Sequence, residues 1–416
     1  MGLDRLIQLW INGLNYKVSV VSWATDDMKV EHNFTRISSM NALRRLKLSN
    51  IVVKTVLVSL SLSLAGLVIG AEKPLGEVMT NSDDAIAHSP VDAVTFRYIN
   101  VNGIRMRVAE AGNSGPLVLL AHGWPESWYS WRHQLKYLSD SGYRVVAPDM
   151  RGYGDTDAPS EVDDYNIEKV AADMIGILDY LGEEKAVMVG HDWGAIVAWQ
   201  TVQFYPDRFD GLIAMSVPFA GRQERSPMVE WKETFGDNFY YILYHNEPNG
   251  VAELEYDSNP RELLSRLYLS PRSPRDPPEI TDPSSSAGGW IGRLGAPKSL
   301  PSWLSASDLN YFVSEFERAG FRGGVNYYRN FHRNWELTES LKDARIDIPT
   351  LFIAGERDVV IGGASEARLR GAMSRVVNDL RGVILVPEVG HWVQQEAPDE
   401  VNQAMSDFLT GANIVP

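Results

Sequence analysis

The sequence predicts an α/β fold: a mostly parallel sheet with helices on both faces and a helical lid inserted into it. Three observations carry this. Short uncharged apolar runs alternate with segments of helical period between residues 94 and 218. Some 120 residues rich in aromatics, Pro, Ser and Gly then break that rhythm, after which two more strand-like runs and an amphipathic helix restore it. Strands covered on both faces read as continuous apolar runs, and their alternation with helices marks a parallel sheet.

In order, F-R-Y-I-N-V-N-G and I-R-M-R-V-A-E-A are two β-like runs meeting at Asn102 and Gly103, the dipeptide of a two-residue hairpin turn. P-L-V-L-L-A-H-G precedes a helix over 128–139, Y-R-V-V-A-P-D-M one over 166–181, and A-V-M-V-G-H-D one over 193–204; L-I-A-M-S-V-P is the next strand. Within the insertion, 228–244, 260–268 and 307–318 have helical character, and D-P-S-S-S-A-G-G (282–289) reads as a mobile loop. P-T-L-F-I-A-G (349–355) and G-V-I-L-V-P (382–387) are the returning strands, followed by a helix over 398–409. The domain reading is therefore a core in two parts, 94–218 and 341–412, with a helical cap at 219–340 between them.

What precedes the core has a different character. Residues 1–71 hold eight Lys/Arg against four Asp/Glu. From Met40 a basic stretch leads into an uncharged apolar run over 55–71 that ends in the small residues Gly70 and Ala71. That is the order of a secretory signal peptide with cleavage near Ala71. The run also sits at the lower limit for crossing hydrocarbon, so an uncleaved signal anchor is the main alternative and a core-packing helix the other. Residues 1–39 show no sustained period, which points to Met40 as the natural start, and the polar tract 72–93 reads as a linker. The expected location is thus exported or membrane-anchored, with membrane contact only through this N-terminal segment.

After residue 71 the balance is 31 Lys/Arg against 50 Asp/Glu, a surface that repels phosphate backbones and excludes nucleic acid as a partner. The chain has no cysteine, which removes disulfides, thiolate metal sites and cysteine nucleophiles. No phosphate loop, H-E-x-x-H or zinc-finger spacing is present either.

The central motif is G-H-D-W-G, Gly190 to Gly194, directly after a strand and opening a helix. This is the spacing of a nucleophile elbow, where glycines permit a cramped turn that lifts the middle side chain above the sheet. Here that residue is Asp192 rather than Ser. A carboxylate attacks an sp³ carbon and forms an ester, so the expected chemistry is alkyl rather than acyl transfer. The alternative for Asp192 alone is a helix N-cap.

An ester on Asp192 must be hydrolysed, which needs a base, and His suits that near neutrality. Of the eight histidines, His391 lies just past a late strand in E-V-G-H-W, and G-E-R-D-V-V supplies Asp358 beyond the preceding strand. Asp192, Asp358 and His391 follow the nucleophile, acid, base order of such elbows. One oxyanion donor is then the backbone N–H after the nucleophile, that of Trp193, and the other lies in the early H-G-W-P loop, which makes Trp124 the candidate. His122, His191 and the turn D-M-R-G-Y-G-D-T (149–156) read as structural.

H-G-W-P-E-S-W-Y-S-W-R, A-P-D-M-R-G-Y-G-D-T-D, V-G-H-D-W-G-A, F-Y-Y-I-L-Y-H-N-E-P-N-G-V-A-E, G-F-R-G-G-V-N-Y-Y-R-N-F-H-R-N-W, G-E-R-D and G-H-W-V-Q-Q-E-A-P-D-E-V-N-Q together resemble the soluble-type epoxide hydrolases of the α/β-hydrolase superfamily, over roughly 94–410. The resemblance implies the α/β-hydrolase fold, an apolar epoxide as small-molecule substrate, and no metal or organic cofactor. It also implies two lid tyrosines that hold and protonate the epoxide oxygen. One lies six residues before Glu-Pro, which here is Tyr241; the other ends an Asn-aromatic-Tyr run, which here is Tyr328. The elbow and loop motifs are shared with haloalkane dehalogenases, which use the same aspartate nucleophile, and that activity is the alternative. The lid's aromatics suit an apolar substrate, and the sequence leaves stereochemistry and oligomeric state open.

Overall fold

The structure, a computed structural model, describes residues 87–416 and the backbone of residues 7–11 and 14–18. The chain divides into two compact units, Met1–Val78 and Met79–Pro416. In the first, strands β1 (Ile7–Ile11) and β2 (Leu14–Val18) pair antiparallel, with Ile7 opposite Val18 and Ile11 opposite Leu14. Sequence reading found no sustained period there because five-residue strands are too short to show one. The signal lies instead in the Asn12-Gly13 dipeptide separating the two runs. The signal-peptide or anchor segment (40–71), the proposed start at Met40 and most of the linker lie outside the described residues.

The second unit is built on a nine-stranded sheet of order β11-β10-β9-β8-β6-β7-β5-β4-β3. Its strands are β3 (Ala87–His88), β4 (Thr95–Val101), β5 (Ile104–Ala111), β6 (Leu117–Ala121), β7 (Arg144–Pro148), β8 (Ala186–His191), β9 (Phe209–Met215), β10 (Thr350–Gly355) and β11 (Leu380–Val386). All neighbours from β7 to β11 pair parallel, while β5, β4 and β3 add an antiparallel edge. The end of the tract read as a linker is therefore the outermost strand. The β4–β5 turn has Asn102 at φ 48° and Gly103 at φ 79°, the two left-handed positions its Asn-Gly sequence favours.

Every residue of β6, β8 and β10 is buried. Alternation divides them between two cores: Leu119, Met188 and Phe352 face one side, and Val118, Leu120, Val187, Val189 and Ile353 face the other. Helices Ile167–Leu181 and Trp193–Phe204 cover the first face, and Arg132–Asp140 and Pro398–Gly411 the second. The helix expected from 166 begins at Ile167, because the Asn166 side chain accepts the Lys169 N–H and caps it.

The helical insertion runs between β9 and β10. Its helices are Pro227–Phe235, Tyr241–His245, Val251–Ser258, Pro260–Leu267, Ala306–Ala319, Arg322–Arg329 and Phe331–Leu337. The single helix expected over 228–244 is broken at Gly236, whose φ of 53° ends the first segment. The break reorients the second segment, which carries Tyr241. The loop 282–289 is tied rather than loose: the Arg293 guanidinium donates to the carbonyls of Asp282 and Ser284 at 2.6 Å and of Gly288 at 3.3 Å. Sheet and lid are also joined by charge. Arg107 on β5 bonds Asp149 at 2.5 Å, Asp155 at 2.8 Å and the lid's Glu315, so the turn 149–156 anchors the lid.

Candidate active site

At the end of β8 the backbone turns sharply into the helix Trp193–Phe204, and Asp192 sits at the turn with φ 52° and ψ −118°. A Cβ on Gly190 would overlap the Gly194 carbonyl, and one on Gly194 the Ala121 carbonyl, so only glycine admits so tight an elbow. The Asp192 side chain makes no capping hydrogen bond to its helix, which removes the N-cap reading. The strained position is held by its surroundings and aims the carboxylate out of the backbone.

The carboxylate meets two groups from other loops. Its Oδ1 accepts the Trp124 N–H at 2.8 Å, and its Oδ2 lies 3.5 Å from His391 Nε2. On the far side of that imidazole, Nδ1 lies 3.0 and 3.1 Å from the two oxygens of Asp358. Asp358 is buried and also accepts the Val360 N–H at 2.9 Å. The side chains of Asp192 and His391 retain 14% and 16% exposure, enough for a small molecule to reach both. The structure thus brings Asp192, Asp358, His391 and Trp124 into one constellation. The Trp193 N–H, first in its helix, has no partner in the i to i−4 ladder and follows Asp192 directly.

Electrostatics follow the geometry. Burial alone would raise Asp358, but the His391 charge and hydrogen bonds from His391 and Val360 hold it below the ordinary carboxylate value. Burial alone would lower His391, yet the Asp358 charge and hydrogen bonds to Asp192 and Asp358 push it well above its ordinary value. The Asp192 and Asp358 side chains on its two sides thus favour the protonated form of the His391 imidazole.

The lid closes the site with aromatic rings. Tyr241 and Tyr328 meet edge to face with ring centres 5.8 Å apart, and Tyr328 packs 5.1 Å from the Trp193 ring and 5.6 Å from Trp124. Burial pushes both phenols well above their ordinary value; the Asp192 charge adds to this at each, after Tyr240 at Tyr241. Their chain neighbours are engaged elsewhere. The Tyr327 hydroxyl donates to the Arg151 carbonyl at 3.1 Å, and Tyr240 stacks on Phe235 at 4.1 Å.

Sequence reading missed Glu126. This fully buried carboxylate follows the H-G-W-P loop and takes four donors: Gly123 N–H at 2.9 Å and His191 Nδ1 at 2.7 Å on Oε2, Gln394 Nε2 at 2.8 Å and Gln395 Nε2 at 3.3 Å on Oε1. Burial alone would raise it, but His191 and the Gly123 N–H hold it down to about 2. His191 Nε2 meets the His391 carbonyl at 2.8 Å, so Glu126 joins the Gly123–Trp124 loop, the strand that leads to Asp192 and the loop of His391 behind the site. The available signal was His191 itself, a histidine in an all-apolar strand that needs a buried partner. His122 is structural in geometry, bridging the Gly123 carbonyl and the Met150 N–H, and burial lowers it to about 4. Among the described residues no cluster of three His, Cys, Asp or Glu is suited to a metal.

Comparison with known proteins bears on this geometry. The model of the alpha/beta hydrolase fold matches residues 116–398. Epoxide hydrolase A of Mycobacterium tuberculosis is 43% identical over 324 residues, which cover 77% of this chain and 99% of that protein. The chain belongs to the epoxide hydrolases of the α/β-hydrolase superfamily. Epoxide hydrolase 3 of Siraitia grosvenorii is 42% identical over 77% of this chain and 99% of its own length. The crystal structure of epoxide hydrolase A from Mycobacterium thermoresistibile superposes with a TM-score of 0.69 at 44% identity, covering 76% of this chain and 98% of that one. The resemblance read from the motifs, the fold class and the enzyme class agree with these findings.

Proposed function

We propose that this epoxide hydrolase converts an apolar epoxide to a vicinal diol through an ester on Asp192. What supports the reading is that Asp192 lies close enough to both buried phenols for its charge to act on them, while Tyr241 and Tyr328 meet edge to face and Tyr328 packs on the Trp193 and Trp124 rings. Asp192 Oδ2 attacks an epoxide carbon in line. The C–O bond breaks, and the departing oxygen takes a proton from the tyrosine pair, since a phenol is acidic enough to serve a strongly basic alkoxide.

The ester then changes the base. While Asp192 is ionised it helps to raise His391; once alkylated it carries no charge, that contribution vanishes, and His391 returns toward the range in which it deprotonates water. Hydroxide adds to the ester carbonyl, whose oxygen is the Oδ1 already held by the Trp124 N–H, with the Trp193 N–H as second donor. Collapse breaks the bond from the carbonyl carbon to Oδ2, and the leaving alkoxide takes the proton of the acid just formed, so the diol departs and Asp192 is again a carboxylate. The proton that His391 loses once Asp192 is alkylated goes to the tyrosine pair, replacing the one given to the epoxide oxygen, and the proton His391 takes from water restores its starting form beside Asp358.

Single turnover of styrene oxide in heavy-oxygen water tests the route. Diol from the first turnover is expected to carry oxygen from Asp192; solvent oxygen in that diol rejects the ester. The lid tyrosines set this reading above haloalkane dehalogenation, since a departing halide needs no proton donor. Export, or anchoring through residues 51–71, is proposed on the leader pattern alone. Intact mass of the natural protein checks it, and an unprocessed soluble product starting at Met1 overturns it.

A further inference from the structure

Trp290 follows the Gly288-Gly289 pair at the end of the tied lid loop, and its position is built with unusual care. The Glu255 carboxylate accepts the backbone N–H of Trp290 at 2.9 Å and of Ile291 at 3.1 Å. A Cβ on Gly289 would overlap that carboxylate, so glycine is needed for Glu255 to reach its partners. Arg266 holds the carbonyls of Ile291 and Leu294 from the other side, at 3.1 and 2.6 Å. The half-buried indole then lies parallel to two rings of the site, 4.7 Å from Tyr241 at 19° and 5.6 Å from Trp124 at 11°.

A cavity of about 710 Å³ lies on the other side of the helix Tyr241–His245, away from the triad. One wall is apolar, with Phe239, Tyr240, Leu243 and Tyr244, and the rest is mostly polar, with Lys232 and Glu247 among its residues, closing at Gly288 and Gly289. Tyr241 and His245 turn instead toward Tyr328. The chain thus passes from the cavity wall at Gly289 to the reaction site at Trp290 in one residue, as it does from Tyr240 to Tyr241.

Resting on the epoxide hydrolase reading, we infer that Trp290 is the partition between the oxirane site and this lid cavity, and sets how long an epoxide substituent the enzyme accepts. With Trp290 in place a substituent ends against the indole. Without it, an alkyl chain passes beside Tyr241 onto the wall of the lid cavity formed by Phe239, Tyr240, Leu243 and Tyr244, where burying each methylene is favourable.

The test compares kcat/KM for butene oxide and dodecene oxide. Trp290→Ala is expected to raise the long-to-short ratio about tenfold or more, the scale at which apolar pockets discriminate chain length. Trp290→Phe, which keeps a parallel ring, keeps the ratio near the starting value. Adding Leu243→Trp to Trp290→Ala fills the cavity and abolishes the gain, while Leu243→Trp alone changes neither substrate. A parallel loss on both substrates makes Trp290 merely structural and overturns the inference, as does a gain that survives Leu243→Trp. Should Trp290→Ala not fold, Trp290→Leu carries the same comparison. Failure of the unsubstituted enzyme to turn over either epoxide counts against the proposed function instead, so the two are distinguishable.

Discussion

On the sheet side of the site, Asp192, Asp358 and His391 stand one, three and five residues beyond β8, β10 and β11, and hydrogen bonds or ion-pair distances of 2.8 to 3.5 Å link them to each other or to Trp124. On the lid side, Tyr241 and Tyr328 stand on short helices and are surrounded by rings at 4.4 to 6.0 Å. Directional bonds place the Asp192 carboxylate and the His391 imidazole to a fraction of an ångström, whereas ring packing tolerates exchange of one apolar neighbour for another. The division teaches where each property resides. On the proposed route, ester formation and hydrolysis belong to the sheet, and acceptance of substrate shape to the lid.

The largest expected effect comes from removing the nucleophile. Asp192→Ala should lose roughly 10⁵-fold in kcat, as when a covalent nucleophile is deleted, with the fold intact by circular dichroism. Residual activity within tenfold of the parent would move the nucleophile elsewhere. His391→Gln should separate the half-reactions: alkylation proceeds, hydrolysis slows by roughly 10⁴-fold, and mass spectrometry finds substrate mass on the peptide containing Asp192. Tyr241→Phe and Tyr328→Phe should each lower the alkylation rate roughly 10²-fold while leaving hydrolysis of a preformed ester unchanged. Slowed hydrolysis would blur the division between sheet and lid.

Glu126→Gln breaks the buried junction behind the sheet side. It should cost about 3 kcal/mol of stability at neutral pH, measured by denaturant unfolding, because His191 loses its charged partner. The sign follows from the depressed carboxylate: its contribution is present above the ordinary Glu value and disappears as pH falls toward 2, so the gap between parent and variant should close in acid. The smallest effect is the pH profile of ester hydrolysis. It should rise with pH, since only neutral His391 activates water, and a rate that falls over the same interval removes His391 as base.

The same division explains what could be read from the chain. The strands, the elbow and the spacing of Asp192, Asp358 and His391 are local patterns of a few residues, so they showed at once. Tyr241 and Tyr328 needed a family resemblance, because nothing in an aromatic run says which ring turns inward; the break at Gly236 and the ring contacts decide that. Glu126 was invisible as a junction since its partners His191, Gln394 and Gln395 lie 65 to 269 residues away. Trp290 was hidden likewise: it sits among Gly288, Gly289, Ile291 and Gly292 with no local pattern, and the more distant Glu255 and Arg266, with Arg293, give that loop its shape.

The Trp124 N–H on Asp192 Oδ1 makes the two carboxylate oxygens unequal. Along the ester route, Oδ2 departs with each diol and a solvent oxygen replaces it, while Oδ1 never leaves. After many cycles in heavy-oxygen water Asp192 should therefore carry one isotopic atom, not two, unless the group spins between cycles. The nucleophile would keep half of its original identity for the life of the enzyme, and peptide mass reads that out directly.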